Sequence, residues 1–279
     1  MELPPDWREA AERIAAGTAR RVLLLGAPDM GKSSLCHALL ERLARTGREV
    51  ALLDADPAQK LVGPPACATL GRCTRGGALS LRLIAFVGTL NPLQGWRRLV
   101  AGTRRLAAEA ETDLLLVNTS GLLAGAGRRL KAAKIAAVRP DLLVALGTDP
   151  PLLGVLADHQ AIPTLRLARA PSARRKAQGE RRALRRDAFR GYFEGAPTWP
   201  LALKGLRLEG EASPGPRRLV ALADAAGRDV ALGIVLDSKA ADSVLVWAPQ
   251  PERPVAALRW GALRLDEDCN PLPAPALST

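Results

Sequence analysis

The stretch that decides the fold is RVLLLGAPDMGKSSLCHALLERLAR, residues 21–45. It begins with a short apolar run typical of a buried parallel strand, passes through a Gly-rich turn, and ends in leucines at helical spacing. The turn, Gly26–Ser33, matches the pattern G-x-x-x-x-G-K-[ST]. Its glycines let backbone N–H groups wrap phosphate oxygens at a helix N-terminus, where anions are favoured. Because the required strand and helix flank it, the motif predicts a nucleoside-triphosphate site.

Two side chains of the motif have expected roles in this site. Lys32 would reach the β- and γ-phosphates, and the Ser33 hydroxyl would bind Mg²⁺. The residues predicted to bind the nucleotide are Gly26, Ala27, Pro28, Asp29, Met30, Gly31, Lys32, Ser33 and Ser34.

Strand-like and helical segments alternate along the first part of the chain. Apolar runs predict strands over 21–25, 49–56, 79–88, 113–121, 141–147 and 164–168. Amphipathic spacing predicts helices over 33–45, 96–110, 127–140 and 151–160. This order is typical of right-handed crossovers in an α/β protein. The sequence therefore predicts an α/β P-loop NTPase fold with a mostly parallel sheet.

The pattern changes after residue 168. Residues 169–190 hold nine basic and two acidic side chains, and apolar residues beyond Gly195 alternate with a period of two. We therefore expect a P-loop domain over 1–195 that includes this Arg-rich segment, followed by a small β-rich C-terminal module over 196–279.

Composition narrows the class of protein. The 279-residue chain has a formal net charge of +12 and ordinary globular proportions, with 48% hydrophobic and 24% charged residues. No apolar run approaches the ~18 residues of a membrane span, and the N-terminus lacks the pattern of a signal peptide. We expect a soluble, cytoplasmic protein that does not act at a membrane. The four cysteines show no C-x-x-C spacing, which argues against a zinc site or a disulfide scaffold.

Acidic side chains end the second predicted strand. Period-two alternation predicts that Asp54 and Asp56 lie on the same side, at the carboxyl edge of the sheet near the phosphates. One would order Mg²⁺-bound water while the other accepts a proton from an attacking hydroxyl. A solvated turn is the alternative. The strand 113–121 ends in Asn118-Thr119-Ser120-Gly121, where many ATPases have an acid, which leaves Asp54 and Asp56 as the acidic candidates.

The Arg-rich segment allows two interpretations. Arg181 and Arg185 stand one helical turn apart on a single face, as do Arg182 and Arg186. A solvated basic helix face is the first interpretation. The second, which we favour, is a mobile lid whose planar guanidinium groups clamp the migrating phosphoryl group in its transition state.

Five motifs together resemble those of the RNA-processing polynucleotide 5′-hydroxyl kinases. This family includes the kinase subunit of the eukaryotic pre-mRNA cleavage complex, the pre-rRNA-processing kinase and archaeal relatives. The motifs are, in chain order, GAPDMGKSS, VALLDADPAQKLVGPPACATLG, FVGTLNP, VNTSGLLAGAG and ERRALRRDAFRGYF. The resemblance, over about 21–193, implies transfer of the γ-phosphate of ATP to the 5′-hydroxyl end of RNA or single-stranded DNA, with Mg²⁺ as cofactor. Protein partners stay open.

The resemblance also implies roles for individual residues. Asp54 would activate the 5′-hydroxyl, Thr89 and Asn91 would lie in a loop that clasps the nucleic acid, and Arg175 would be a further lid arginine. The full catalytic set is Lys32, Asp54, Arg181 and Arg185. The metal ligands are Ser33 and Asp56. The nucleic-acid contacts are Gln59, Thr89, Asn91, Asn118, Thr119 and Arg175.

The chain departs from the family at one position in each of two of these motifs. Ala58 stands where the family usually has Gly, and Leu122 where it often has an aromatic residue thought to stack on the terminal base.

Two alternative functions are compatible with a P-loop. A non-catalytic ATP-binding subunit of an RNA-processing assembly is one alternative. A switch-type NTPase is another, less favoured because the candidate base-reading motif, Gly147-Thr148-Asp149, lacks the Lys of N-K-x-D.

Overall fold

The computed structural model describes residues 4–74, 76–170, 173–210, 214–237 and 242–272. The helices in these ranges are α1 (Pro5–Ala16), α2 (Lys32–Ala44), α3 (Trp96–Ala108), α4 (Ala126–Val138), α5 (Pro150–Ala157) and α6 (Gln178–Phe193). The strands are β1 (Arg21–Gly26), β2 (Val50–Ala55), β3 (Cys67–Cys73), β4 (Leu79–Phe86), β5 (Leu114–Thr119), β6 (Leu142–Leu146), β7 (Thr164–Leu167), β8 (Thr198–Ala202), β9 (Arg207–Glu209), β10 (Arg218–Ala223), β11 (Asp229–Asp237), β12 (Ser243–Trp247) and β13 (Ala257–Arg264). None of the helices in these ranges has the length and apolar character to cross a bilayer.

Five parallel strands form the first half of the sheet, in the order β7-β6-β1-β5-β2. Helices cover both faces, so the strands are continuous apolar runs rather than alternating ones. In β1, Leu23 and Leu25 belong to the core on the side of α3, α4 and α5. Leu24 belongs to the core on the side of α1 and α2. The predicted α/β fold with a mostly parallel core is confirmed.

Two antiparallel strands follow the parallel half, and the sequence revealed only one of them. β3 pairs antiparallel with β2 on one side and with β4 on the other. The sequence of β3, CATLGRC, contains no apolar run, and its Gly71 lies against Val62, where an added Cβ would stand 3.0 Å from Cγ1. Hydrophobic periodicity therefore gave no signal for β3.

The strands after residue 196 extend the same sheet. β11 pairs antiparallel with β4 at Asp229 and Ile84, and the path continues through β10, β13 and β9. β12 and β8 form a branch from β11. These strands are the β-rich region that the period-two pattern predicted. Residues 211–213, 238–241 and 273–279 of that region lie outside the described residues, and the boundary at residue 195 stays a prediction.

The Arg-rich segment is helical only from Gln178, and its helix, α6, runs on to Phe193. Phe189 and Phe193 are completely buried in a core shared with β4, β10 and β11. This packing anchors the C-terminal half of α6 to the junction between the two halves of the sheet. The expected lid is therefore a helix with one fixed end. Pro171 and Ser172, at the start of the expected segment, lie outside the described residues.

Helix α1 ties the turn after β1 to the chain that leads to α6. The indole Nε1 of Trp7 donates to the Ala168 carbonyl at 2.9 Å, and the Asp6 carboxylate accepts from the Ala168 N–H at 2.8 Å. The same indole packs on Gly31, where an added Cβ would stand only 2.9 Å from Cη2 of Trp7. Gly31 also has φ = +98°. Glycine is therefore required at this position for two reasons.

A buried carboxylate links the two halves of the sheet. Asp229 in β11 accepts a hydrogen bond from the Phe86 N–H of β4 at 2.9 Å. It also accepts from Arg259 of β13 at 2.8 Å and pairs with Arg105 of α3 at 3.4 Å.

Replacing Asp229 with Asn should destabilise the protein because Arg105 would lose its counter-charge and Arg259 would keep only its pair with Glu209. We expect the free energy of unfolding to fall by at least about 2 kcal/mol, below the ~3–5 kcal/mol of a fully buried pair because both arginines are partly exposed. Urea denaturation measures the change. As a control, Glu49→Gln breaks the exposed pair with Arg72 and should cost no more than about 0.5 kcal/mol. Equal effects of the two variants would contradict this assignment.

Candidate active site

The loop between β1 and α2 has the geometry of an anion-binding turn. Gly31 is the N-cap of α2 and has no side chain to occupy the free N–H groups of the first helical turn. Asp29 adopts φ = +60° and Gly31 φ = +98°, which turns the backbone around the space that a phosphate would fill. The predicted P-loop is thus present as a strand, a left-handed turn and a helix N-terminus.

Lys32 bridges the carbonyl groups at the start of this loop. Its Nζ lies 2.8 Å from the Gly26 oxygen and 2.8 Å from the Ala27 oxygen. The side chain is buried, and burial lowers the pKa of Lys32 to about 8. The ammonium group therefore has carbonyl partners but no carboxylate within ion-pair distance among the described residues. A triphosphate would supply the missing counter-charge.

A cavity of about 880 Å³ opens above the P-loop. Its walls come from loop residues 28–34, from the turn after β2, from Asn118–Leu122 after β5 and from the basic segment up to Arg185. The cavity gathers most of the predicted site residues in one place because β1, β5 and β2 are parallel neighbours whose carboxyl ends share an edge.

Asp54 does not reach this cavity, which corrects the prediction that it meets the reacting hydroxyl. Its side chain is 0% exposed and accepts hydrogen bonds from Leu61 N at 2.6 Å and Asn118 Nδ2 at 3.0 Å. The buried ammonium of Lys60 lies 3.4 Å away. Burial raises the pKa of Asp54, and the Lys60 charge opposes that rise. Asp54 lies within the fully buried strand β2, and its side chain is enclosed by the protein.

Asp56 lines the cavity, together with Asp29 of the P-loop, which is paired with Arg181. Asp56 lies one residue beyond β2, where the chain has left the sheet. Its Oδ1 accepts hydrogen bonds from Ala58 N at 2.8 Å and Gln59 N at 3.2 Å, which fixes the side chain in a local turn. The prediction of two carboxylates on one side fails because strand alternation stops at Ala55. Because Asp29 is held in its ion pair with Arg181, Asp56 is the cavity carboxylate left to act on a bound substrate.

The site offers a fitting oxygen for Mg²⁺ on the neighbouring strand. Asn118 donates its Nδ2 to Asp54, and its Oδ1 is buried without a hydrogen-bond partner among the described residues. Asn118 and Ser33 both line the cavity. An unpartnered carbonyl oxygen beside a P-loop hydroxyl suits a hard cation that keeps several waters and phosphate ligands. Within the described ranges, no cluster of three His, Cys, Asp or Glu side chains forms an all-protein metal cage.

Two lid arginines line the cavity, and they differ in whether they have a partner there. Arg181 is paired with Asp29 of the P-loop, and its backbone carbonyl lies 3.4 Å from Gln59 Nε2. Arg185 is half-buried, and its Nε has no hydrogen-bond partner among the described residues. Burial lowers the pKa of Arg185, and the nearby arginines lower it further. The Nε–H of Arg185 is therefore a buried donor without an acceptor among the described residues, as expected of a group that binds an added anion.

The predicted clasp residues stay outside the cavity wall. The Thr89 hydroxyl accepts from Asn91 N at 3.1 Å, and the Asn91 side chain accepts from Leu93 N at 3.0 Å. Both side chains thus hold the turn between β4 and α3. Pro92 is the residue of this loop that lines the cavity. The structure does not bring Thr89 and Asn91 to the cavity.

Sequence reasoning missed several basic residues around the site. Arg169, Arg174 and Lys176 line the cavity beside the predicted Arg175. Two lysines of α4, Lys131 and Lys134, are also buried nearby, and their spacing of three residues within the otherwise apolar stretch 130–138 was a signal in the sequence. Thr119 was predicted to contact nucleic acid, and its hydroxyl is occupied by Leu24 O at 2.9 Å and by Lys131 Nζ at 2.7 Å.

The parallel sheet, the anion-binding turn after its first strand and the arginine-bearing helix define a P-loop nucleotide-binding protein. Residues 26–195 match the sequence model of the family described as "mRNA cleavage and polyadenylation factor CLP1 P-loop". The chain belongs to this family. The resemblance drawn from the five motifs is therefore confirmed.

Curated relatives agree with this assignment, and a solved structure shares the fold. The chain is 31% identical over 216 residues to a polyribonucleotide 5′-hydroxyl-kinase of Pyrococcus furiosus, an alignment that covers 75% of this chain and 61% of the relative. It is 34% identical over 200 residues to one of Pyrococcus abyssi, covering 69% and 56%. The chain thus spans about three fifths of the length of these relatives. A Clp1p–Pcf11p complex shares the fold, with a TM-score of 0.69 at 14% identity, covering 92% of this chain and 77% of that one.

Asp54→Asn should destabilise the protein, because Lys60 would be left as a buried charge without a carboxylate. We expect a loss of about 3–5 kcal/mol in the free energy of unfolding, measured by urea denaturation. Asp56→Asn is the matched control. It keeps the Oδ1 acceptor for Ala58 and Gln59 and should change stability by less than about 1 kcal/mol. The reverse order of the two effects would contradict the assignment of these carboxylates.

Proposed function

We propose that the chain is a polynucleotide kinase that transfers the γ-phosphoryl group of ATP to the 5′-hydroxyl end of RNA. The observation that supports it most is the single cavity in which a P-loop lysine, a carboxylate and an unpartnered arginine face one another. Phosphoryl transfer needs these three parts: a cradle for the triphosphate, an acceptor for the hydroxyl proton, and positive charge for the transition state. The names of the archaeal relatives supply the substrate class.

Each part has a residue in the proposed mechanism. Asp56 accepts the proton of the 5′-hydroxyl while the hydroxyl oxygen forms a bond to the γ-phosphorus. The bond between the γ-phosphorus and the bridging oxygen breaks, and ADP leaves. Lys32 binds the β- and γ-phosphates, and Arg185 donates to the transferring group. Ser33 and Asn118 would hold Mg²⁺, which offsets phosphate charge when bound. Because Asp54 is buried away from the cavity, we assign the role of base to Asp56, which the sequence had predicted to be a metal ligand.

The nucleic-acid substrate would approach over the basic segment. A groove of about 500 Å³ lies beside the main cavity and is lined by Arg175, Lys176, Gln178 and Arg181. Arg175 is exposed, as a residue that contacts phosphates of a polynucleotide must be. Such contacts release counterions, so substrate affinity should fall as salt concentration rises. Gln59 also lines the cavity, and its Nε2 donates to the Arg181 carbonyl at 3.4 Å, next to the basic segment.

Incubation with γ-labelled ATP and 5′-hydroxyl oligonucleotides tests the activity directly. We expect label on single-stranded RNA, absent when the 5′ end already bears a phosphate, with DNA as the comparison substrate. Asp56→Asn should lower turnover by roughly 10²–10⁴ and keep ATP affinity. ATP binding without transfer by the wild type would indicate a nucleotide-binding subunit instead. Joint loss of catalysis and Mg²⁺-dependent ATP binding in Asp56→Asn would make Asp56 a metal ligand.

Arg185→Lys should lower the turnover number by at least about tenfold, because lysine keeps the charge and loses the planar fork of donors. Steady-state kinetics with ATP and a 5′-hydroxyl RNA measure it, and RNA affinity should change little. Arg186→Lys is the control on the same helix, because Arg186 pairs with the adjacent Asp187 at the surface. Near-normal turnover in Arg185→Lys would leave the segment as a basic face for RNA alone.

A further inference from the structure

Two lysines of α4 are buried beside the active site without any carboxylate partner. Lys131 is 1% exposed and Lys134 is 0% exposed. Among the described residues neither forms an ion pair, in contrast to Lys60, which has Asp54 at 3.4 Å. Burying an unpaired ammonium group costs several kcal/mol. Buried groups that cost stability in this way cluster at functional sites.

Both lysines hold the carboxyl ends of the strands that build the site. Lys131 Nζ donates to the Thr119 hydroxyl at 2.7 Å and to the Ser120 carbonyl at 2.6 Å, at the end of β5. Lys134 Nζ donates to the Ala55 carbonyl at 2.7 Å, at the end of β2. The residue that follows Ala55 is Asp56. The two ammonium groups therefore fix the two loops that face the P-loop from the adjoining strands.

The Lys131 contacts also reach the P-loop itself. Gly121 follows Ser120 directly and packs on the P-loop so closely that an added Cβ would stand 2.4 Å from Pro28 N. The hydroxyl of Thr119, which accepts from Lys131, donates to the Leu24 carbonyl in β1. A shift of the β5 loop would thus be passed to the P-loop by direct contact.

The charges of these lysines also act on the reaction centre, where Asp56 lies. Burial lowers the pKa of Lys134 to about 8 and that of Lys131 well below its usual value. The charges of Lys134 and then Lys32 lower the pKa of Lys131 further, and Asp56 opposes the fall in pKa for both α4 lysines. Lys131 therefore interacts with the charges of both other lysines, and a triphosphate in the cavity would lower the electrostatic energy of these ammonium groups.

We propose that Lys131 and Lys134 are positioning residues for nucleotide binding and phosphoryl transfer, which together fix the loops after β5 and β2 and supply buried positive charge behind the triphosphate. They touch backbone and side chains of the site rather than substrate. The proposal rests on the proposed function for its transfer step only. Its binding step stands on the P-loop alone.

Lys131→Met and Lys134→Met remove the charge and the donor at nearly constant length. Without nucleotide, both variants should unfold at a temperature equal to or above that of the wild type, because a buried unpaired charge has been removed. We expect Mg²⁺–ATP affinity, measured by the ligand-induced rise in melting temperature, to fall at least about fivefold. Turnover with 5′-hydroxyl RNA should fall at least about tenfold. Arg104→Met, which removes one exposed charge on α3, is the control and should match the wild type.

A purely structural role would give the opposite pattern. The nucleotide-free variants would then melt several degrees lower, while ATP affinity and turnover per folded molecule stayed at the wild-type level. That result overturns the proposal. Should the Met variants fail to fold, Lys131→Gln and Lys134→Gln keep a donor without the charge and answer the same question. Should the wild type bind Mg²⁺–ATP without transferring phosphate, the proposed function fails while the affinity measurement still decides the role of the lysines.

Discussion

Parallel pairing of β1, β5 and β2 is the constraint on which the rest of the site depends. In register, Leu52 lies beside Leu116 and Asp54 beside Asn118, so the strands end together at one edge. The P-loop, the Asn118–Leu122 loop and the turn that holds Asp56 all begin there. Helices cover both faces of these strands, so the loops that follow the strands leave the sheet at this edge. The chemistry of the site is thus a consequence of sheet topology before it is a property of any side chain.

The sequence predicted the fold well where periodicity or a motif was strong. The strand–turn–helix at 21–45 and the alternation up to residue 168 needed only apolar spacing, and the P-loop pattern identified Lys32 and Ser33. β3 was missed because a strand of small and polar residues has no apolar run. The reach of Asp54 was misjudged because alternation describes side chains within a strand, and Asp56 already lies beyond its end. Which side chain faces a cavity depends on where the strand stops, to within one residue.

The site concentrates charges that weaken the free protein. Lys32 and the two α4 lysines are buried without carboxylates within ion-pair distance among the described residues, whereas the buried Lys60 pairs with Asp54. Proteins commonly place such strain where a ligand relieves it. The spacing of the two α4 lysines was a signal in the sequence, but it did not by itself indicate burial, because lysines on the outer face of an amphipathic helix can have the same spacing. Burial, which only the tertiary packing of α4 decides, gives them their meaning.

The packing of Trp7 on Gly31 gives the protein an internal optical probe. The indole touches the backbone that must wrap the phosphates, and its Nε1 is bonded to the chain that leads into the lid helix. Indole emission responds to the polarity and the charges around the ring. The remaining tryptophans of the five in the sequence lie at or beyond residue 96. A variant that keeps Trp7 alone would therefore convert occupancy of the phosphate loop into a fluorescence signal, read in real time and without a label.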